Sequence, residues 1–263
     1  MPHTTVILAM SADGKITDSA LTAARFGSAN DKSHLEQQVA ASDAVLFGNG
    51  TLRAYGTTLR VISPDLLEQR KLQGKPPQPV QIVCSRSRQF DPNWRFFQQP
   101  VPRWLLTGND ADVSNGLEAR STIDELSCGT GILPVHKRLI DNGATSQFDR
   151  TLIAKTAAGE IDWIDAFQQL ETLGIKRLAI LGGGKLVASV IAADLIDELW
   201  LTVCPLILGG ADAPTPVEGK GFLADLAPKL ELLAVKQVGG EVFLHYRVDR
   251  TLEGGHGGTV PTF

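Results

Sequence analysis

Three glycine-containing runs stand where apolar segments end: Ser11-Ala12-Asp13-Gly14, Gly48-Asn49-Gly50-Thr51 and Gly182-Gly183-Gly184. The last two lead into helical sequence. A helix start offers unpaired N–H groups and the positive end of the dipole, and glycine removes the Cβ that would hold an anion away. The chemistry these two runs suit is phosphate binding. Neither is a standard nucleotide motif. A G-x-G-x-x-G pattern begun at Gly48 and Gly50 meets Arg53 at its third glycine. A P-loop around Gly184-Lys185 would need glycine at Ala179 and Ser or Thr at Leu186. A further run, Ser85-Arg86-Ser87-Arg88, follows directly on an apolar strand. Guanidinium forks match phosphate oxygens and serine hydroxyls add donors, which is the chemistry of a 2′-phosphate reader and favours NADPH over NADH.

The rest of the composition bounds what these residues serve. The chain has 263 residues, 25 basic and 29 acidic, for a net charge of −4. The mild acidity argues against a protein that lives on nucleic acid or an anionic membrane. With 43% apolar residues there is ample material for a core. Three separated cysteines, Cys84, Cys128 and Cys204, form neither a disulfide framework nor a metal-ligand spacing, so no metal is expected and a reducing cytoplasm is the expected location. The first fifteen residues lack a basic region and a long apolar run, so neither a signal peptide nor a membrane span is expected there. Zinc deamination needs H-x-E and P-C-x-x-C, and no C-x-x-C exists.

The elements that must position the glycines follow from periodicity. Apolar runs predict buried strands at Val6–Met10, Ala44–Phe47, Val80–Cys84, Trp104–Leu106, Thr151–Ala154, Arg177–Leu181 and Asp197–Val203. Helices are predicted from Ser28 to about Ala41, from Pro64 to about Leu72, over Ile161–Leu173 and over Lys185–Ala193. Ser28 reads as the N-cap of the first, with Asp31 as its capping-box acid. A hairpin, Lys229–Gln237 with Val242–Val248, turns at Gly239-Gly240. Alternating strands and helices imply one α/β domain over residues 1–250, with a mostly parallel central sheet flanked by helices and an antiparallel C-terminal hairpin. Residues 110–150 are polar and weakly periodic and read as an insertion or loop, centred on 127–148. Residues 251–263 read as a disordered tail. In such sheets ligands bind beyond the carboxyl ends of the strands, where the glycine runs fall.

Four segments together resemble a known family: AMSADGKI from Ala9, DAVLFGNGT from Asp43, LGGGKLVA from Leu181 and LIDELWLTVCPLILGG from Leu195. They are similar to the reductase domain of riboflavin biosynthesis, the C-terminal half of the bifunctional deaminase–reductase, within the dihydrofolate reductase-like fold. The resemblance implies an NADPH-dependent reductase, a homodimer, that delivers hydride to the ribosyl imine of a 5-amino-6-(5-phosphoribosylamino)uracil-like pyrimidine and gives the ribityl product. By the same resemblance Ala9 and Ile16 flank the nicotinamide. Gly48, Asn49, Gly50 and Thr51 meet the pyrophosphate from one helix start. Gly182, Gly183, Gly184, Lys185 and Leu186 meet it from the other, and Ser85 and Arg86 read the 2′-phosphate. Lys15 faces substrate, and Asp13 shapes the turn that holds it. The chain departs from the family at two acids. Tyr55-Gly56-Thr57 stands where Asp-Asp-Pro is common, and Leu181 stands where Glu often precedes the glycines. Leu181, the Gly48-x-x-Thr51-x-x-x-x-Gly56 spacing and Thr202 are closer to dihydrofolate reductases. Reduction of a pterin or another heterocycle, or a non-catalytic NADPH-binding module, are therefore alternative readings. Asp31 is the nearest acid on the first helix that could replace the missing pair.

Overall fold

The computed structural model describes residues 1–109, 147–157 and 159–249. The chain opens with strand β1 (His3–Ser11) and crosses through helix α1 (Ala29–Ala41) to β2 (Ala44–Gly48). Helices α2 (Asn49–Tyr55) and α3 (Pro64–Leu72) lead to β3 (Val80–Cys84). One 3-10 turn, Arg95–Gln98, precedes β4 (Arg103–Gly108). Strand β5 (Arg150–Ala154), a small ladder of β6 (Thr156–Ala157) with β7 (Glu160–Ile161), and α4 (Trp163–Thr172) follow. Then come β8 (Arg177–Ile180), α5 (Gly184–Ala192), β9 (Glu198–Cys204) and the hairpin β10 (Lys229–Val238) with β11 (Glu241–Asp249).

Nine of these strands form one sheet in the order β10-β11-β9-β1-β8-β2-β3-β4-β5. From β9 to β5 every neighbour is parallel. The hairpin closes the sheet antiparallel, β11 on β9 and β10 on β11. This is the expected α/β architecture. Helices cover both faces, which is why the central strands read as unbroken apolar runs. Val6, Leu8, Leu46 and Ile180 pack under Phe167 and Leu170 of α4 and Val187 and Val190 of α5. Ile7, Val45, Phe47 and Val83 pack on the opposite face under Val39 of α1, Leu52 of α2 and Leu66 of α3.

The polar segment between β4 and β5 divides. Residues 110–146, which include most of the expected insertion, lie outside the described residues, as does the expected tail at 251–263. The last part of the segment is core and corrects its sequence boundary. Phe148 is buried against Phe90, Phe96 and Phe97, with ring centroids 5.0, 6.3 and 5.6 Å away. A single aromatic without periodic neighbours gives no signal in the sequence.

Outside the apolar core, carboxylates hold the connections by accepting pairs of backbone N–H groups. Glu36 of α1 is buried and takes Ile62 N and Ser63 N, both at 2.7 Å, and so caps α3, whose Ser63 makes no side-chain cap of its own. Asp43 takes Lys176 N and Arg177 N at 2.9 Å and pairs with Lys75. Asp13 takes the Ser11 hydroxyl at 2.6 Å, Leu208 N at 3.1 Å and Gly209 N at 2.7 Å. The Ser11 hydroxyl and then the two amides hold the Asp13 carboxyl at about 2, well below its ordinary 3.8.

Glu36→Ala leaves two donors without their anionic partner. It is expected to cost about 2 kcal/mol in denaturant unfolding, the order of a charge-assisted hydrogen bond. Asp13 carries a pH signature of the opposite kind to a histidine. Its folded value lies below its unfolded one, so its contribution is complete above about pH 4 and is lost as pH falls through about 2. Hydrogen exchange is expected to show Leu208 and Gly209 amides losing protection in that window. Asp13→Asn should show the same loss at neutral pH with the β1–β9 ladder unaffected.

Candidate functional site

The site is built where β8 enters between β1 and β2. Val6, Ile180 and Leu46 stand in register across the three strands, so the turns after β8 and β2 emerge at one level. Gly48 N donates to Gly182 O at 3.1 Å and ties the turns together. Gly48 is the N-cap of α2 and Gly183 the N-cap of α5, and neither helix has a side-chain cap. Two sets of helix-start N–H groups therefore adjoin. A Cβ on Gly183 would lie 3.7 Å from Thr51 Oγ1, which places that hydroxyl beside the second helix start. A Cβ on Gly50 would project into open space. Gly182, joined to Gly183 by a cis peptide, has φ +105° and lies against Leu8. The glycine at 184 answers a different need. A Cβ there would overlap Thr215 O at 2.3 Å and Glu218 Cγ at 2.7 Å, so it admits the 215–218 segment. Lys185 is exposed at the same helix start, while the Leu186 side chain is buried in the core and leaves only its backbone for a ligand.

Two polar atoms at the strand ends are buried without a hydrogen-bond partner: Asn49 Oδ1 and Ser85 Oγ. Burying such groups unpaired is costly, and a polar ligand supplies the partner. Arg86, next to Ser85, is 71% exposed and pairs at 3.1 Å with Glu160, itself exposed. Arg88 turns inward instead and donates to Thr107 Oγ1 and Gly108 O, both at 3.2 Å. Adjoining uncapped helix starts, a Cβ-free gap at Gly50, two unpaired buried acceptors and one exposed guanidinium suit a phosphorylated dinucleotide.

The turn after β1 is stitched to the segment after β9. Ala12 N donates to Leu206 O at 2.8 Å, Ile16 N to Pro214 O at 2.9 Å and Lys15 Nζ to Ala213 O at 3.1 Å. With Asp13 holding Leu208 and Gly209, Lys15 and Asp13 both clip these two loops together. Ala9 is the parallel register partner of Thr202 on β9. Strand alternation puts both on the face covered by α1, the face of Ile7 and Trp200.

That face carries the main departure from the sequence reading. Ser28 caps α1 as expected and accepts Asn30 N and Asp31 N. The reciprocal bond comes from elsewhere. Glu241 at the start of β11 accepts Ser28 N at 2.7 Å and Ser28 Oγ at 2.6 Å. Asp31 is therefore not the capping-box acid. Its carboxyl faces the Thr202 hydroxyl and lies against Gly27, where any Cβ would come within 2.2 Å of Asp31 Oδ2. Burial, with the Glu241 charge beside it, raises the Asp31 carboxyl above its usual range against the opposing Thr202 bond. Cys204, next along β9, is pushed up to about 12 by burial and by the same two carboxyls. Tyr55, standing where the resemblance leads one to expect acid, donates its hydroxyl to Ala24 O at 2.8 Å and props the loop before α1. Sequence spacing could not reveal Glu241, which lies 213 residues from Ser28. The glycine immediately before the cap, Gly27, was the one local sign that Asp31 needed room.

Among the described residues no group of His, Cys, Asp and Glu could hold a metal ion, and no helix is long and apolar enough to cross a membrane.

Comparison with known proteins bears on this geometry. A 2,5-diamino-6-ribosylamino-4(3H)-pyrimidinone 5′-phosphate reductase of Archaeoglobus fulgidus is 30% identical over 84% of this chain and 89% of its own length. The reductase of the same name from Methanothermobacter thermautotrophicus is 24% identical over 94% of this chain and 98% of its own. A pyrimidine reductase-like protein of Corynebacterium diphtheriae shares the fold, with a TM-score of 0.69 and 20% identity over 95% of this chain and 92% of its own. The RibD C-terminal domain model matches residues 2–244, nearly the whole of the described sheet, and the chain belongs to that family.

Proposed function

We propose that the protein is an NADPH-dependent reductase of riboflavin biosynthesis, acting on a 5-amino-6-(5-phosphoribosylamino)uracil-like pyrimidine or its 2-amino counterpart, for which the two archaeal relatives are named. It reduces the ribosyl imine to the ribityl chain. The observation that carries the reading is the pair of uncapped helix starts bridged by Gly48 and Gly182, in a chain of this reductase family. The reduced nicotinamide supplies the hydride when bound, and the protein supplies position and charge. Thr51 and the amides of α2 and α5 hold the pyrophosphate from two sides. Asn49 and Ser85 gain the partners that burial denies them, and Arg86 leaves Glu160 for the 2′-phosphate. Ala9 and Ile16 form the small wall against which the nicotinamide rests. Lys15 steadies the loop pair over the substrate. Homodimerisation and a cytoplasmic location are part of the same reading. It is supported by the exposed apolar side chains of β10, Leu230, Leu232 and Val235, on the edge strand of the sheet, and by the two separated cysteines among the described residues, both free.

Turnover with both ribosylamino-pyrimidine phosphates, followed as NADPH oxidation, tests the reaction; oxidation with neither refutes it. Arg86→Ala is expected to raise the NADPH Kd about tenfold, roughly one exposed charge-assisted contact, and to leave the NADH Kd within twofold. Equal losses for both cofactors would remove Arg86 from the 2′-phosphate. Gly183→Val fills the gap beside Thr51, and should abolish dinucleotide binding in a protein whose circular dichroism is unchanged. Retained binding by that folded variant contradicts the pyrophosphate position.

A further inference from the structure

The last residue of β4, Gly108, admits the small β6–β7 ladder. A Cβ on Gly108 would come within 2.6 Å of Thr156 Cγ2 and 3.9 Å of Ile161 Cγ1, and those two residues are register partners in the ladder. The ladder therefore lies directly on the carboxyl end of β4. Glu160 opens β7 opposite Ala157 and reaches past that end to β3, where its Oε1 meets Arg86 Nη1 at 3.1 Å. Burial pushes the Cys84 thiol, the last of β3, up to about 12, with Arg86 acting against the rise and Glu160 with it. Both charges thus stand over the end of β3. The neighbouring cations are turned elsewhere, Arg88 to Thr107 and Gly108 and Lys155 to Asp165. The outward guanidinium at this strand end is Arg86, and a carboxylate holds it.

We propose that Glu160 is a specificity-determining residue, which by occupying Arg86 lowers the preference of the site for NADPH over NADH. The inference rests on the reductase reading above and on Arg86 as its 2′-phosphate reader. The two cofactors differ at one group. NADPH carries a phosphate monoester there, with close to two negative charges near neutral pH, and NADH carries a hydroxyl. To reach the guanidinium, the phosphate must first break the pair with Glu160. The hydroxyl asks nothing of Arg86, so the pair stays closed when NADH binds. A carboxylate beside a ribose is also an acceptor for such a hydroxyl, as in sites that take NADH. Both effects work against the phosphorylated cofactor. Arg86 and Glu160 are 71% and 74% exposed, so water weakens the competition and keeps it within the range of surface ion pairs. The seat of the ladder on Gly108 gives the carboxylate a fixed base. Glu160 lies 74 residues from Arg86, so the basic run Ser85–Arg88 alone carries no sign of it.

The test measures the Kd of NADPH and of NADH by calorimetry on the full chain, and reads the ratio of the NADH value to the NADPH value. Glu160→Gln keeps the shape of the side chain and removes its charge. It should raise the ratio about fivefold, the upper end of what an exposed ion pair is worth, through tighter NADPH binding. In an Arg86→Ala background the same change should move the ratio less than twofold, because no guanidinium remains to be released. A merely structural role for Glu160 would move both Kd values together and leave the ratio alone. A rise of less than twofold in the unaltered background overturns the inference. So does a rise of more than twofold in Arg86→Ala, since Glu160 would then repel the phosphate directly and not act through Arg86. In both cases the reductase reading stands. An unaltered protein that binds neither dinucleotide overturns the reductase reading, and the role of Glu160 with it.

Discussion

The placement of β8 between β1 and β2 is the constraint on which the site depends. The chain reaches β2 before β8 exists, so the two strands can be joined only when the last third of the domain folds back into the sheet. Once β8 is seated, Ile180 lies level with Val6 and Leu46 and the glycine turns of β2 and β8 meet. The single bond from Gly48 N to Gly182 O then aligns two helix starts whose N-caps, Gly48 and Gly183, are 135 residues apart in sequence and adjacent in space. The proposed dinucleotide site requires that convergence. Neither helix alone would provide it, since α2 has 7 residues and α5 has 9. Long-range pairing of this kind forms late and makes binding a report on the complete sheet rather than on one motif.

Around that centre the molecule spends carboxylates as clips. Backbone donors at loop ends are obligatory polar groups, and an acid that takes two of them fixes a connection without needing a regular element. Glu36 does this for α3, Asp43 for the entry to β8 and Asp13 for the loop after β9, while Glu241 takes the Ser28 amide and hydroxyl at the start of α1. Arg70 is the cationic counterpart, fully buried and donating to Ala40 O, Ser42 O and Pro76 O at the end of α1. The loops over the site are consequently held from the side, leaving the strand ends and helix starts clear.

Local patterns made much of this legible. Strand and helix types follow from apolar period, and Pro64 and Ser28 mark helix starts to the residue. The glycine runs pointed to a candidate site because a cradle needs backbone without Cβ, and that requirement is written in the residue type. What sequence left unread is pairwise and distant. Phe148 joins a core through three aromatics that precede it by about fifty residues. Gly184 looked like a phosphate residue because it sits in a G-G-G run, yet its missing Cβ makes room for Thr215 and Glu218. Ser28-x-x-Asp31 has the form of a capping box, and the form is satisfied by a donor and acceptor that do not belong to each other.

That last mismatch leaves the Asp31 carboxyl off the cap of α1. A carboxyl at the third residue of a helix ordinarily falls back on the cap, because the N–H there is unpaired and close. Holding it away demands another acceptor for Ser28 N, space beside the backbone and a polar neighbour on the facing strand. Glu241, Gly27 and Thr202 provide one each, from three separate parts of the chain. The hairpin strand β11 thus does more than finish the sheet. At the end of β9, burial first and then the charge of its first residue raise both the Asp31 carboxyl and the Cys204 thiol.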